Sequence, residues 1–173
     1  SLEKILKRDK DISSIIMEVE RDSKPHKNYL KSIRKLCDQN NICLIFDECT
    51  TGFRDFNGGL HLKYGVNPDI AMFGKAIGNG YSIASIIGKK SIMNSSNKSF
   101  ISSTFWSERI GFVAGIATLD EMKRIKSWKI ISNKGKKIKK LLSLEAKKND
   151  LIISFSGLDA LIPTLTQPVL GIC

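Results

Sequence analysis

Apolar residues along this chain gather in short runs separated by polar joins that carry glycine, proline or asparagine. Ile12, Ile15, Ile16, Met17 and Val19 crowd into eight positions and predict a short buried strand ending near Glu18. Lys24-Pro25 marks a turn, because the proline ring restricts the residue before it. From Asn28 to Asn40, the residues Tyr29, Leu30, Ile33, Leu36 and Cys37 recur at i, i+1, i+4, i+7 and i+8, which is one face of a helix. Asn40-Asn41 stops that helix, and Ile42 to Phe46 reads as the next buried strand. Strand, helix, strand with short joins is the grammar of an α/β fold whose parallel strands are joined by crossover helices.

Further along, a polar and glycine-bearing segment runs from Thr50 to Gly65. Pro68 to Phe73 predicts a strand that enters a Gly74-Lys75 loop, and Ser82 to Ile87 predicts another, paired as a hairpin with a neighbour. Phe112, Ile116, Leu119, Met122 and Ile125 mark a helix from Gly111 to about Lys126. A lysine-rich helix follows, and Leu151 to Phe155 is a last strand. No internal repeat or low-complexity segment is evident.

Composition narrows the class. The 173 residues are 42% hydrophobic and 26% charged, which is enough for one domain with a real core. No apolar run approaches the roughly 20 residues of a membrane helix. Ser1 to Lys7 has neither the apolar core nor the cleavage site of a signal peptide. Together with four cysteines (Cys37, Cys43, Cys49 and Cys173) that form no CxxC pair, this points to reducing cytosol, with Cys43 a small buried hydrophobe. Only two histidines are present, and the cysteines are badly spaced for zinc. The chain opens without methionine and stops abruptly at Gly171-Ile172-Cys173, so a piece of a longer protein is expected.

The net charge of +11 raises nucleic acid as a partner. The excess is local: residues 120–148 hold 11 Lys or Arg against Asp120, Glu121 and Glu145. Ile131, Ile138, Leu141 and Leu142 recur near helical spacing among these cations, so the lysines are expected on the wet face of an amphipathic helix. No aromatic is interleaved with the lysines of 134–142 to stack on bases, which argues against a single-strand binder.

Two residues carry candidate chemistry. Asp47 follows a run of strand residues, four of them large and apolar, and ligands of open parallel sheets collect at the carboxyl ends of strands. A partly desolvated carboxylate there wants a cationic partner, and a protonated pyridine nitrogen is one. A helix N-cap or a metal-binding acid pair are the plain alternatives. Lys75 stands between Gly74 and Gly78, where glycines let the backbone pass close to a bulky ligand. A lysine there could form an imine with an aldehyde and shuttle protons when released, or simply be a solvated or phosphate-binding loop lysine. Gly88-Lys89-Lys90-Ser91 lacks the earlier glycine of a P-loop, and Gly78-Asn79-Gly80 lacks the third glycine of a dinucleotide fingerprint. Thr104 sits where a polar segment meets a helix, as a phosphate-binding hydroxyl or an ordinary N-cap.

Three segments then carry a resemblance. Ile45-Phe46-Asp47-Glu48-Cys49-Thr50-Thr51-Gly52-Phe53-Arg54 resembles the "IFDEVxTGFR" segment of class III pyridoxal-phosphate aminotransferases. Pro68 to Gly80 resembles their "PDxxxxGKxxGGG" segment, and Ser103-Thr104 with Ala114-Gly115-Ile116-Ala117-Thr118-Leu119 is similar to their "GT…AGxATL". The branch containing glutamate-1-semialdehyde 2,1-aminomutase and its aminotransferase cousins looks closest. The resemblance implies pyridoxal 5'-phosphate as cofactor, and a fold-type I transferase represented by the second half of the large α/β/α domain (1–118) and a linking helix with a truncated small domain (119–173). It implies Lys75 as the Schiff-base lysine, Asp47 as partner of the pyridine nitrogen, and Cys49 beneath the ring in place of the usual valine. Thr104 would hold the phosphate of a neighbouring subunit, in a homodimer with shared active sites. Small-molecule amino donors and carbonyl acceptors are the implied partners. Glu18 matches the acid of the family's "EP", with Val19 in place of its proline, and Thr104-Phe105-Trp106-Ser107-Glu108-Arg109 departs from "GT-x-SGNP". The alternatives are an aminomutase on the same scaffold and a non-catalytic basic fragment that binds nucleic acid.

Overall fold

Four strands form the main sheet in the order β1-β2-β3-β4: β1 is Ser14–Glu18, β2 Cys43–Asp47, β3 Ile70–Phe73 and β4 Ser85–Gly88. The computed structural model describes residues 1–102, 104–105, 108–162 and 164–166, the last three by backbone alone. β1, β2 and β3 run parallel, with Ser14 opposite Cys43 and Ile45 opposite Ile70, while β4 returns antiparallel to β3. The crossover from β1 to β2 is helix α2 (Tyr29–Gln39), which buries the predicted face through Leu30, Ile33 and Cys37. Helix α1 (Leu2–Arg8) adds Leu6 to the same side.

Burial alternates along β2, with Leu44 and Phe46 sealed from water and Cys43, Ile45 and Asp47 half-buried. That alternation is the mark of a sheet with one face covered. Leu44 and Phe46 join Leu6, Val19, Leu30, Ile33, Cys37 and Leu60 in the core, where each large side chain contributes roughly 2–3 kcal/mol. β1 is not the buried strand its composition predicts. It lies at the edge of the sheet among the described residues, and Ile16 is 60% exposed. Cys43 likewise is half-buried rather than enclosed.

The connection from β2 to β3 holds the short helix α3 (His61–Tyr64). β3 runs into a single 3₁₀ turn over Lys75–Ile77. After β4 come helix α4 (Lys90–Met93) and a 3₁₀ segment, Asn94–Lys98. Helices α5 (Arg109–Ile125) and α6 (Ser127–Lys148) are divided by Lys126, whose φ of 55° breaks the helical path. A two-stranded antiparallel sheet, β5 (Ile153–Phe155) with β6 (Thr164–Thr166), closes the described chain.

The apolar stripes predicted for α5 and α6 exist but are uncovered. Phe112 and Ile116 are about 60% exposed, and Ile138, Leu141 and Leu142 also face outward. The buried positions are small ones instead: Gly111 and Gly115 on α5, and Ser132, Gly135 and Ala146 on α6. Nor are all the α6 lysines on a wet face. Lys139 is largely covered, pairs with Asp159 at 3.0 Å and lies over the Phe155 ring. Short side chains let neighbouring backbone approach a helix that bulkier residues would hold away.

Candidate active site

The carboxyl ends of β1, β2 and β3 carry Glu18, Asp47 and Phe73 side by side. Asp47 is in register with Glu18 on one side and Met72 on the other, and Lys75 follows two residues after β3 ends. The Glu48 amide donates to the Met72 carbonyl at 2.8 Å, so the chain leaving β2 stays fixed to β3. The acid and the lysine, 28 positions apart in sequence, thus emerge from adjacent strands.

Asp47 is half-buried. Its Oδ1 accepts the Cys49 amide at 2.9 Å, and among the described residues no cation lies within ion-pair range of it. Lys75 is exposed, with φ of 44°, a left-handed conformation that a side chain disfavours. Its Nζ donates to Thr50 Oγ1 at 2.6 Å. Cys49 lies close enough to feel both groups. Burial pushes its thiol pKa up, the hydrogen bond and charge of Asp47 push it further, and Lys75 pulls it down. The net rise disfavours the thiolate, the form in which a cysteine acts as a nucleophile. A Cβ added at Gly74 would stand 3.4 Å from the Cys49 Sγ, so glycine keeps this wall thin.

Lys75 lines two open clefts. The larger, about 760 Å³, is walled by Tyr81, Ser85, Phe105, Glu108 and Phe112. A hydrogen bond donated by the Tyr81 phenol to the Glu108 carboxylate holds the phenol above its ordinary pKa. The second, about 580 Å³, includes Phe53, Arg54, Asn79 and Glu121. Asp47 and Cys49 line neither. Thr104 is exposed, five residues ahead of α5, whose N-cap is Glu108. Thr104 is therefore not the N-cap of α5, and among the described residues no hydrogen bond joins it to Asp47 or Lys75. Its neighbour Phe105 does share the larger cleft with Lys75. Among the described residues no group of three or more His, Cys, Asp or Glu could hold a metal, and no helix is long and apolar enough to cross a membrane.

Sequence reasoning passed over Thr50 and the group behind Asp47. Thr50 was legible only as the variable position of the Asp47–Arg54 segment; the register of β2 and β3 makes it a partner of Lys75. Glu48 is sealed from water and accepts hydrogen bonds from the Thr51 hydroxyl at 2.5 Å, the His61 amide at 2.8 Å and His61 Nδ1 at 2.9 Å. Asp69 is the second anchor, binding Arg34, Lys89 and the buried Leu44 amide.

A family profile described as "Aminotransferase class-III" matches residues 1–167. The 3-aminobutyryl-CoA aminotransferase of Cloacimonas acidaminovorans (strain Evry) is 37% identical over 134 residues, covering 77% of this chain and 32% of the relative. The glutamate-1-semialdehyde 2,1-aminomutase of Nitrosopumilus maritimus (strain SCM1) is 38% identical over 133 residues, covering 73% of this chain and 31% of the relative. The chain thus spans about a third of the length of these relatives. The PLP internal aldimine form of the Sphingopyxis sp. MTA144 FumI protein shares the fold with a TM-score of 0.91 at 21% identity, covering 97% of this chain and 42% of that one. Ornithine aminotransferase from Plasmodium yoelii gives 0.79 at 22%, covering 96% and 47%. The fold is that of the fold-type I transaminases, and the chain belongs to the class III aminotransferases, a pyridoxal-phosphate-dependent enzyme family.

Proposed function

We propose that the whole protein is a pyridoxal-phosphate-dependent aminotransferase that moves an amino group between a small-molecule donor and a carbonyl acceptor, with Lys75 and Asp47 as its catalytic residues. The observation that carries this reading is the emergence of Asp47 and Lys75 from adjacent parallel strands in a chain of this family. The donor set fits the cofactor. Asp47 offers a half-buried carboxylate, tethered through one oxygen, to a ring N–H. Lys75 offers a primary amine, and Cys49 with Gly74 offers a thin wall for a flat ring. Pyridoxal phosphate, when bound, supplies an electron sink for bond breaking at the α-carbon of an amino substrate. Asp47 would keep the ring nitrogen protonated by ion pairing. Lys75 would bind the cofactor's aldehyde covalently and, when released, carry a proton to and from the substrate carbon.

Thr104 is assigned to the cofactor phosphate across a homodimer, a reading supported by its exposure and by the family. Residues 1–118 are assigned to the cofactor-binding large domain and 119–173 to the linking helix and small domain. The cytoplasm is the proposed compartment.

The decisive experiment incubates the full-length protein with pyridoxal phosphate, reduces it with borohydride and maps the peptides by mass. The cofactor mass is expected on the peptide holding Lys75 and should vanish in Lys75→Ala. Stoichiometric labelling of another lysine, unchanged in that variant, would show that Lys75 is not the site.

A further inference from the structure

We propose that Thr50 is a positioning residue whose hydroxyl holds the Lys75 amine apart from the Asp47 carboxylate, leaving each free for its own task. The inference rests on the reading of Lys75 as the imine-forming lysine and adds how that amine is kept available.

Two opposite charges at the ends of neighbouring strands would ordinarily close into an ion pair. Such a pair favours the ammonium form, which has no lone pair with which to attack an aldehyde. It would also occupy the carboxylate meant for the ring nitrogen. The structure shows separate tethers instead. Lys75 Nζ donates to Thr50 Oγ1 at 2.6 Å, and Asp47 Oδ1 takes the Cys49 amide at 2.9 Å. Among the described residues Lys75 makes no ion pair.

The two charges are nonetheless neighbours, since both act on the Cys49 thiol in opposite directions. The acceptor given to Lys75 is neutral and short. A hydroxyl also keeps a donor and a second lone pair for other partners. The backbone favours the same arrangement. Lys75 holds φ at 44°, and strain of that kind persists only where the surroundings over-determine the conformation. Thr50 is itself fixed, because it lies between the Glu48 amide, bound to the Met72 carbonyl, and the buried Thr51 hydroxyl, bound to Glu48.

The test reads amine reactivity rather than turnover. Full-length protein without cofactor is labelled with trinitrobenzenesulfonate, and the rate at Lys75 is followed by peptide mass spectrometry. Thr50→Val is expected to slow labelling about tenfold, because the released amine would pair with Asp47 and a rise of about one pKa unit removes about nine-tenths of the unprotonated form. Thr50→Ser should restore the rate, and so should Asp47→Asn in the Thr50→Val background. Capture of pyridoxal phosphate, trapped with borohydride, should slow in Thr50→Val by a similar factor. Labelling of Thr50→Val at the unmodified rate would overturn the proposal, as would slowing that Asp47→Asn does not reverse. If valine prevents folding, Thr50→Ala against Thr50→Ser gives the same comparison. Undiminished cofactor capture by Lys75→Ala would sink the underlying reading, whereas normal capture at Lys75 with indifferent Thr50 variants would sink this inference alone.

Discussion

Directly behind Asp47, the Glu48 carboxylate is 1% exposed and accepts three hydrogen bonds, two of them from His61. Burial pushes its pKa up, but the bonds from His61 and Thr51 outweigh that, and the carboxyl titrates below its ordinary value. The sign follows from linkage. A depressed folded pKa adds stability that is complete above the unfolded value of about 4.3 and is lost as pH falls through the folded one. Glu48→Gln in the full-length protein should therefore flatten the fall in melting temperature on acidification below about pH 5. Glu48→Ala should cost about 3 kcal/mol, because it strands a buried histidine and hydroxyl. A melting curve as steep with pH in Glu48→Gln as in the native protein would refute this. The sequence exhibited Asp47-Glu48 as a pair of acids, but not that one stays half-buried with a single backbone partner and the other meets a buried imidazole. Alternation along a strand says that neighbours diverge, and only the fold says what each one meets.

Helix α6 shows the same divide one level up. Its existence and approximate span were readable from periodicity, but its packing face was not. A Cβ on Gly135 would lie 1.8 Å from the Asp159 carbonyl oxygen. Helix propensity alone makes Gly135→Ala stabilising by about 1 kcal/mol. The contact reverses the sign, and a loss of about 2 kcal/mol is expected from overpacking against backbone that cannot yield. Chemical denaturation decides between the two. The apolar stripes of α5 and α6, which periodicity marked as helix faces, stand exposed among the described residues. Periodicity identifies a face that prefers burial and says nothing of which surface buries it. β1 carries the same lesson, since a run of Ile and Met predicted a buried strand and the structure places it at an edge.

At the scale of the whole molecule, the question is which reaction the full-length protein performs. An aminotransferase needs both an amino donor and a 2-oxo acid or other carbonyl acceptor to complete a cycle. An intramolecular aminomutase converts one substrate with no acceptor present. We expect turnover to stop when the acceptor is withheld. Isomerisation of a single amino substrate in its absence would assign the protein to the aminomutase reading instead.

What the sequence determined by itself was the succession of β1 to β5 with helices α2, α5 and α6, the parallel grammar of the first sheet and the family. Each depends on local periodicity or on motifs contiguous in the chain. The tertiary structure decided the rest: that Asp47 and Lys75 share one edge, that Thr50 rather than Asp47 receives the Lys75 amine, and that small residues rather than leucines pack α6. Those outcomes depend on register between strands and on contacts between distant segments, which no spacing within a single segment encodes.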